Sequence, residues 1–192
     1  MSNNNTQKLG NIQLILGCMF SGKTSELIRR IQRYKSIQKK VLFVNFIEDT
    51  RYNENNTNNT NNIYTHDKVG CEGIYLDKLN GLIDKVNNYD VFVINEGQFF
   101  EDVYKVTIEL CEKYGKDVLI CGLDGDFQRQ IFKYNLLDLI PFADTVEILT
   151  AYCVICKDET PARFSKRISN EKEQKVIGTS NYIPVCRKHF LK

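Results

Sequence analysis

Continuous apolar runs alternate with segments of helical spacing over the first 150 residues. The runs predict buried strands over residues 11–17, 41–47, 91–95, 118–123 and, as a candidate fifth, 145–153. Apolar residues three and four positions apart predict helices over 23–38, 76–88 and 100–114. Strands that are apolar along their whole length are typical of a parallel sheet covered on both faces. We therefore expect an α/β fold with helices flanking a parallel sheet.

Two segments break this pattern. Seven of the ten residues 53–62 are asparagine, which predicts a solvated insertion because such a run has no apolar surface to bury. After residue 150 the chain becomes rich in Lys, Glu, Ser and Asn. We therefore predict one domain over residues 1–150 and a second, small domain over 151–192.

Composition and charge narrow the function classes. The 192 residues are 42% hydrophobic, as in an ordinary soluble protein, and their net charge of only +2 does not favour bulk nucleic-acid binding. No apolar run approaches the roughly 20 residues needed to span a bilayer, so we do not expect membrane insertion. The polar N-terminus lacks the apolar segment of a signal peptide, which favours a cytoplasmic location. Disulfides are not expected there, and Cys18, Cys71, Cys111 and Cys121 are interpreted as small buried hydrophobes.

The stretch GCMFSGKT follows the first predicted strand and opens the first predicted helix. It matches the phosphate-binding pattern G-x-x-x-x-G-K-[ST], in which backbone N–H groups and a helix N-terminus surround phosphate oxygens. Lys23 would reach the β- and γ-phosphates, and Thr24 would offer its hydroxyl to Mg²⁺. The predicted nucleotide-binding residues are Gly17, Cys18, Met19, Phe20, Ser21, Gly22, Lys23 and Thr24.

The third predicted strand ends in VINEGQFF. Ligand sites in open α/β sheets lie at the carboxyl ends of strands, so Glu96 is predicted to face a phosphate acceptor. Asn95 stands where such proteins usually carry an aspartate that assists magnesium; its amide oxygen can still accept from a magnesium-bound water, but without the charge. Gly97 and Gln98 complete this predicted edge of the nucleotide site.

Cys153-x-x-Cys156 and Cys186-x-x-His189 are separated by 29 residues. Two such pairs can supply four tetrahedral ligands to Zn²⁺ and leave no position open, which predicts a structural site. The intervening residues 157–185 hold few apolar side chains, so we expect the metal to tether them as a loop that covers a ligand.

Taken together, the motifs GCMFSGKT, DTRY, THD, NEGQFF, LDGDFQR, LTAYCVIC, FSKR, VIG and CRKH occur in an order that resembles the thymidine kinases of the cellular and poxvirus type. The resemblance covers about residues 11–189. It implies transfer of the γ-phosphoryl group of ATP to the 5′-hydroxyl of thymidine, with Mg²⁺, and commonly a homotetramer. Asn95 replaces the aspartate of the family, Gln174 stands where an apolar residue is common, and the asparagine insertion lengthens one loop.

The resemblance also implies roles for individual residues. Glu96 falls on the position of the catalytic base, and Arg51 and Arg167 on positions near the phosphates. The implied thymidine pocket, with an apolar wall and a loop that contacts the polar edge of the base, consists of Met19, Phe99, Leu123, Phe127, Phe132, Ser165, Gln174, Lys175, Val176, Ile177, Gly178 and Tyr182.

Two alternatives stay open at this point. A zinc-containing nucleic-acid ATPase would need a dense basic face near the zinc, but Lys166, Arg167, Lys172 and Lys175 are mixed with glutamates. A catalytically weakened nucleotide-binding protein is suggested by Asn95.

Overall fold

The computed structural model describes residues 9–48, 62–64, 70–174 and 181–192. Seven strands of this part of the chain form one sheet: β1 (Ile12–Gly17), β2 (Val41–Phe46), β3 (Asn62–Tyr64), β4 (Gly70–Leu76), β5 (Val91–Ile94), β6 (Asp117–Gly122) and β7 (Thr145–Leu149). Their order is β3-β4-β2-β5-β6-β1-β7. Six strands run parallel, and the edge strand β3 pairs antiparallel with β4. The α/β prediction is confirmed.

Both faces of the central strands are buried, as their unbroken apolar sequences predict. Helix α1 (Lys23–Ser36) packs Leu27 and Ile31 onto one face of the sheet. The other face packs on α2 (Val103–Ile108) and on neighbouring short turns, with Phe92 and Phe100 fully buried between them. None of the described helices is long and apolar enough to cross a membrane.

Two predicted helices are shorter than expected. In the predicted segment 76–88, Leu76 ends β4 and only Asn80–Lys85 is helical, as a 3₁₀ turn that contains Gly81. Glycine and asparagine are weak helix formers, and this turn is held from outside by the carboxylate of Asp102, which accepts from the backbone N–H groups of Leu79 and Asn80 at 2.8–2.9 Å. In the segment 100–114, α2 passes into a π-helical turn, Glu109–Lys113.

The C-terminal part forms two small antiparallel pairs. Strand β8 (Ala151–Tyr152) pairs with β9 (Pro161–Ala162), and β10 (Phe164–Arg167) pairs with β11 (Tyr182–Val185), ahead of helix α3 (Arg187–Phe190). The predicted strand 145–153 is therefore two strands of different sheets, with the break at Thr150. The described residues between 157 and 185 also carry more structure than expected, because Ala162 and Val185 form a small core with Cys153 and Cys186. The division into two domains stays a prediction.

Because β1, β5 and β6 are parallel neighbours, their carboxyl ends meet at one edge of the sheet. The segments that follow them begin at Cys18, Asn95 and Leu123. This edge is where the predicted chemistry converges.

Candidate functional site

The loop between β1 and α1 has the backbone of a phosphate cradle. Gly17 and Gly22 have φ angles of +147° and +82°, values that L side chains rarely adopt. A Cβ on Gly17 would lie 2.3 Å from the carbonyl oxygen of Leu149, so a side chain is excluded there. Gly22 caps α1 without any side-chain hydrogen bond. The first-turn N–H groups and the positive end of α1 are therefore oriented for an anion, which fits the phosphates of a nucleotide.

Lys23 is folded back into this cradle. Its side chain is buried, and Nζ donates to the carbonyl oxygen of Cys18 at 2.7 Å, an oxygen that also accepts from Ser21 Oγ at 2.8 Å. The ammonium group is thus held at the centre of the loop by a neutral acceptor. A phosphate oxygen would be a stronger, charged partner for it.

The cradle is joined to the C-terminal part by two hydrogen bonds. The N–H of Met19 donates to Ser165 Oγ at 2.9 Å, and the thiol of Cys18 donates to the carbonyl oxygen of Ala162 at 3.3 Å. Burial raises the pKa of Cys18, so this thiol stays protonated and able to donate. Ser165 and Met19, both predicted substrate contacts, are therefore in direct contact with each other.

Glu96 lies directly after β5, is 6% exposed, and has a left-handed backbone with φ 55° and ψ 45°. Such a conformation is uncommon for a residue with a side chain and is typical of functional sites. Gln98, also buried, donates from Nε2 to Glu96 Oε2 at 2.7 Å, while its Oε1 accepts from the N–H of Leu123 at 3.0 Å. Since a backbone N–H can only donate, the Gln98 amide has one orientation, and its nitrogen must face the carboxylate.

Asn95 lies on the face of the sheet that α1 covers. Its Nδ2 donates to Asn45 Oδ1 at 2.7 Å, and its Oδ1 accepts from the Cys121 thiol at 2.9 Å. Asn45 and Asn95 are both fully buried, and Asn45 Nδ2 has no partner among the described residues. Both polar atoms of Asn95 are therefore engaged within the protein. Thr24, at the start of α1 and half-buried, is the better-placed of the two predicted magnesium residues.

The predicted apolar wall is brought together in part. The ring of Phe99 lies 5.5 Å from that of Phe46 and 5.8 Å, edge to face, from that of Phe132. Phe127 lies under the guanidinium of Arg167, at 3.7 Å from its carbon to the ring centroid. Leu123 is half-buried beside Gln98.

Arg167 holds the segment that follows β10. Its guanidinium donates to the carbonyl oxygens of Glu171, Glu173 and Gln174 at 2.6–3.3 Å, and to the hydroxyl of Tyr182. Gln174 in turn donates from Nε2 to Asp126 Oδ2 at 2.9 Å. The described hydrogen bonds of Arg167 are thus with this segment and with Tyr182, and its guanidinium also lies over Phe127. Its predicted role near the phosphates stays a prediction.

Five of the predicted site residues lie outside the described residues, namely Arg51, Lys175, Val176, Ile177 and Gly178. Other residues of the site were not predicted. Asp126 organises the turn after β6, since its Oδ1 accepts from the N–H groups of Gln128 and Gln130 at 2.8 Å. Asn45 was marked in the sequence only by being the single polar residue in VLFVNFI.

The cysteine pairs meet as predicted. The sulfurs of Cys153, Cys156 and Cys186 lie 3.3–3.5 Å from Nδ1 of His189, and the sulfurs of Cys156 and Cys186 lie 3.8 Å apart. A zinc tetrahedron with bonds of about 2.3 Å to sulfur and about 2.0–2.1 Å to nitrogen has edges of roughly 3.5–3.8 Å. The spacing of the ligand atoms therefore fits Zn²⁺, and all four positions are filled by protein.

The protonation of the cluster points the same way. Burial opposes ionisation of the Cys153 thiol, but backbone N–H groups of Cys186, Cys156 and Ile155 lower its pKa to about 6. Burial and the neighbouring Cys153 and Cys186 sulfurs raise the pKa of Cys156 to about 11. Without a metal, the cluster therefore favours a thiolate at Cys153 and a protonated thiol at Cys156. A divalent cation between the sulfurs would stabilise all the thiolates together.

The glycine-rich phosphate cradle and the buried carboxylate of Glu96 lie at the same sheet edge. These features define a P-loop nucleotide-binding protein. The part of the chain that carries the zinc-type cluster Cys153, Cys156, Cys186 and His189 is called the zinc module. A sequence model of the thymidine kinase family matches residues 10–190. Thymidine kinase 1 of Dictyostelium discoideum is 44% identical over 183 residues, which cover 95% of this chain and 78% of that protein. The thymidine kinase of Vaccinia virus (strain Western Reserve) is 41% identical over 186 residues, 95% of this chain and 97% of the viral one. The chain belongs to the thymidine kinase family.

Proposed function

We propose that the chain transfers the γ-phosphoryl group of ATP to the 5′-hydroxyl of thymidine and so produces thymidine monophosphate. The observation that carries this proposal is the meeting of a phosphate cradle, after β1, with a buried carboxylate, after β5, at one edge of the sheet. Membership of the family supports thymidine as the acceptor. The N–H groups of residues 18–24 would hold the phosphates, and Lys23 would move from the carbonyl of Cys18 to the phosphate oxygens.

Glu96 would act on the acceptor. A carboxylate fixed by Gln98 can accept a hydrogen bond from the 5′-hydroxyl, orient its oxygen toward the γ-phosphorus and take the proton as the bond to phosphorus forms. Mg²⁺, when bound through the phosphates and Thr24, would neutralise charge that develops on the transferring group. Arg51 is proposed to do the same.

The zinc module would complete the substrate pocket. Zn²⁺ on Cys153, Cys156, Cys186 and His189 would hold the ends of the segment that carries Ser165, Arg167 and Gln174. The base would then lie between this segment and the aromatic rings of Phe99, Phe127 and Phe132. Aromatic rings stack on pyrimidines and pack well against a methyl group. A homotetramer and a cytoplasmic location remain predictions.

A panel of nucleosides tests the proposed substrate. With ATP and Mg²⁺, thymidine should give labelled monophosphate from [γ-³²P]ATP, whereas 5′-deoxythymidine, which lacks the accepting hydroxyl, should give none. Purine deoxynucleosides should react at least about a hundredfold more slowly, because they would leave the polar groups of a pyrimidine pocket unpaired. Equal rates with purines, or label that appears only as inorganic phosphate, would contradict the proposal.

Substitution of Asn95 by Asp tests the weakened-protein alternative. A carboxylate at this position could accept from two donors. One is the Cys121 thiol, and the other is the unpartnered Nδ2 of Asn45, once the Asn45 amide has flipped. The variant should therefore fold, and the added charge should lower the Mg²⁺ concentration for half-maximal transfer by about threefold to tenfold. Asn45→Ala, which removes the partner but adds no charge, is the matched control. An unchanged magnesium titration in Asn95→Asp would mean that this side chain does not act on the ion.

A further inference from the structure

A second cavity lies behind the phosphate cradle, between the turn after β6 and the zinc module. Its volume is about 200 Å³, and its lining includes Cys18, Asp124, Arg129, Arg163, Ser165 and Arg187. A water molecule occupies about 30 Å³ in the liquid, so the cavity has room for a phosphate group with ordered water. Ser165 is shared with the predicted thymidine pocket and Cys18 with the cradle, but the thiol of Cys18 donates to the carbonyl oxygen of Ala162.

The charges on this lining are unbalanced. Three guanidinium groups face two carboxylates, and Asp126 is already engaged by the N–H groups of Gln128 and Gln130 and by the amide of Gln174. Among the described residues, only Asp124 pairs with an arginine of the cavity: its Oδ2 accepts from Arg163 Nη2 at 2.6 Å. The cavity therefore carries excess positive charge.

One donor in the cavity is both buried and unpaired. Arg163 Nη1 is inaccessible and has no hydrogen-bond partner within the described part of the chain, although the Arg163 side chain as a whole is 36% exposed. A guanidinium whose Nη2 already holds a carboxylate can still bind a second anion through Nη1. Nη1 is therefore a spare donor, which an anion in the cavity could reach after a small rotation of the guanidinium.

The other two arginines are exposed, and aromatic rings hold their guanidinium groups in position. The guanidinium of Arg187 lies over the ring of Phe164, and that of Arg129 lies over the ring of Phe190, each at 4.9 Å from the centroid. Arg129 also has a left-handed backbone, φ 64°, within the turn that Asp126 organises. Neither guanidinium has an anionic partner among the residues that the structure describes. Stacking fixes these planar groups while leaving their N–H donors available.

We propose that this cavity is a second phosphate site, distinct from the cradle at residues 17–24, that binds inorganic phosphate or the phosphate group of an ester through Arg129, Arg163 and Arg187. Guanidinium groups are the side chains best matched to phosphate oxygens. Asp124 is the competing internal anion at this site. The proposal does not depend on thymidine being the acceptor, because it concerns phosphate binding and not transfer.

Calorimetric titration with inorganic phosphate tests the proposal on the full-length, zinc-loaded protein, with the cradle filled by the ATP analogue AMP-PNP and Mg²⁺. Arg163→Ala should weaken phosphate binding by about tenfold or more, since it removes a charge-assisted donor. Asp124→Asn should tighten it several-fold, because Arg163 loses its internal competitor. Arg33→Ala, which removes an exposed arginine from α1, is the matched control and should change nothing.

The two cavity variants are expected to change the phosphate affinity in opposite directions. Damage to the fold would weaken binding in both variants, so opposite changes indicate a direct effect on the site. Parallel titrations with glycerol 3-phosphate show whether an ester is preferred, and binding of either compound that responds to both variants supports the site. If neither compound binds to the wild type at 10 mM, the proposal is overturned. It is also overturned by binding that Arg163→Ala and Asp124→Asn leave unchanged, or by binding that only Lys23→Ala removes.

Discussion

Replacing Glu96 by Gln is expected to slow phosphoryl transfer to thymidine by about 10²- to 10⁴-fold, the usual contribution of a positioned general base. The affinity for ATP should change little, because the cradle is formed by the backbone of residues 17–24 and by Lys23, which the described contacts hold independently of Glu96. The fold should tolerate the change. The amide oxygen of a glutamine at this position can still accept from Gln98 Nε2. Single-turnover kinetics, together with AMP-PNP binding, separate the two effects, and unchanged turnover would remove Glu96 from the mechanism.

Gln98→Glu is a companion variant that leaves Glu96 in place. The orientation of the Gln98 amide is fixed by the N–H of Leu123, so the new carboxylate oxygen would face Glu96 Oε2 at the present donor position. A like charge raises the pKa of a carboxyl group. Because Glu96 must be ionised to accept a proton, the acidic limb of the activity profile should move to higher pH. Gln98→Met, which removes the hydrogen bond without adding charge, should lower activity without that shift.

Removal of zinc is expected to raise the KM for thymidine by about tenfold or more and to lower the midpoint of thermal unfolding. The four ligands join the two ends of the segment that carries β10 and β11. Without the metal, two contacts lose their support: Ser165 with Met19, and Arg167 with the carbonyls of residues 171–174. Each such hydrogen bond contributes about 0.5–1.5 kcal/mol, and a loss of 1.4 kcal/mol is tenfold in affinity.

The experiment compares the zinc-loaded protein, the chelated protein and Cys153→Ser, with metal content measured in each. Cys111→Ser, at a buried cysteine outside the cluster, is the matched control and should keep its zinc. Re-addition of Zn²⁺ to the chelated protein should restore the KM. If a protein preparation shown to be zinc-free binds thymidine with the same affinity as the zinc-loaded protein, zinc does not hold the segment that completes the thymidine pocket.

The parts of the fold that local sequence determines could be predicted. The strand, cradle and helix of residues 12–36 follow from an apolar run, a glycine pattern and helical spacing that agree with one another, and the zinc-type cluster follows from paired Cys and His spacing. The segment 76–88 was predicted wrongly because leucine spacing favours a helix, whereas Leu76 ends a strand. Strands β3 and β4 were not predicted, since β3 begins at Asn62, the last residue of the asparagine-rich run, and neither strand carries a long apolar stretch.

Contacts that depend on the packing of distant strands could not be predicted. Gln98 reaches Leu123 only because β5 and β6 are neighbours in the sheet, and Asn95 meets Asn45 only because β5 also pairs with β2. The arginines at 129, 163 and 187 converge through three separate elements, so no local motif marks their cavity. Arg167 illustrates the same limit, because it meets the hydroxyl of Tyr182 only where β10 pairs with β11.

The most direct test of the central claim is a crystal structure of Glu96→Gln with AMP-PNP, Mg²⁺ and thymidine, a combination that cannot turn over. We expect the phosphates on the N–H groups of residues 18–24, with Lys23 on the terminal phosphates. The 5′-hydroxyl of thymidine should lie within hydrogen-bond distance of the side chain at position 96 and face the γ-phosphorus. Phosphates bound elsewhere, or a residue 96 that points away from the nucleoside, would contradict the central claim.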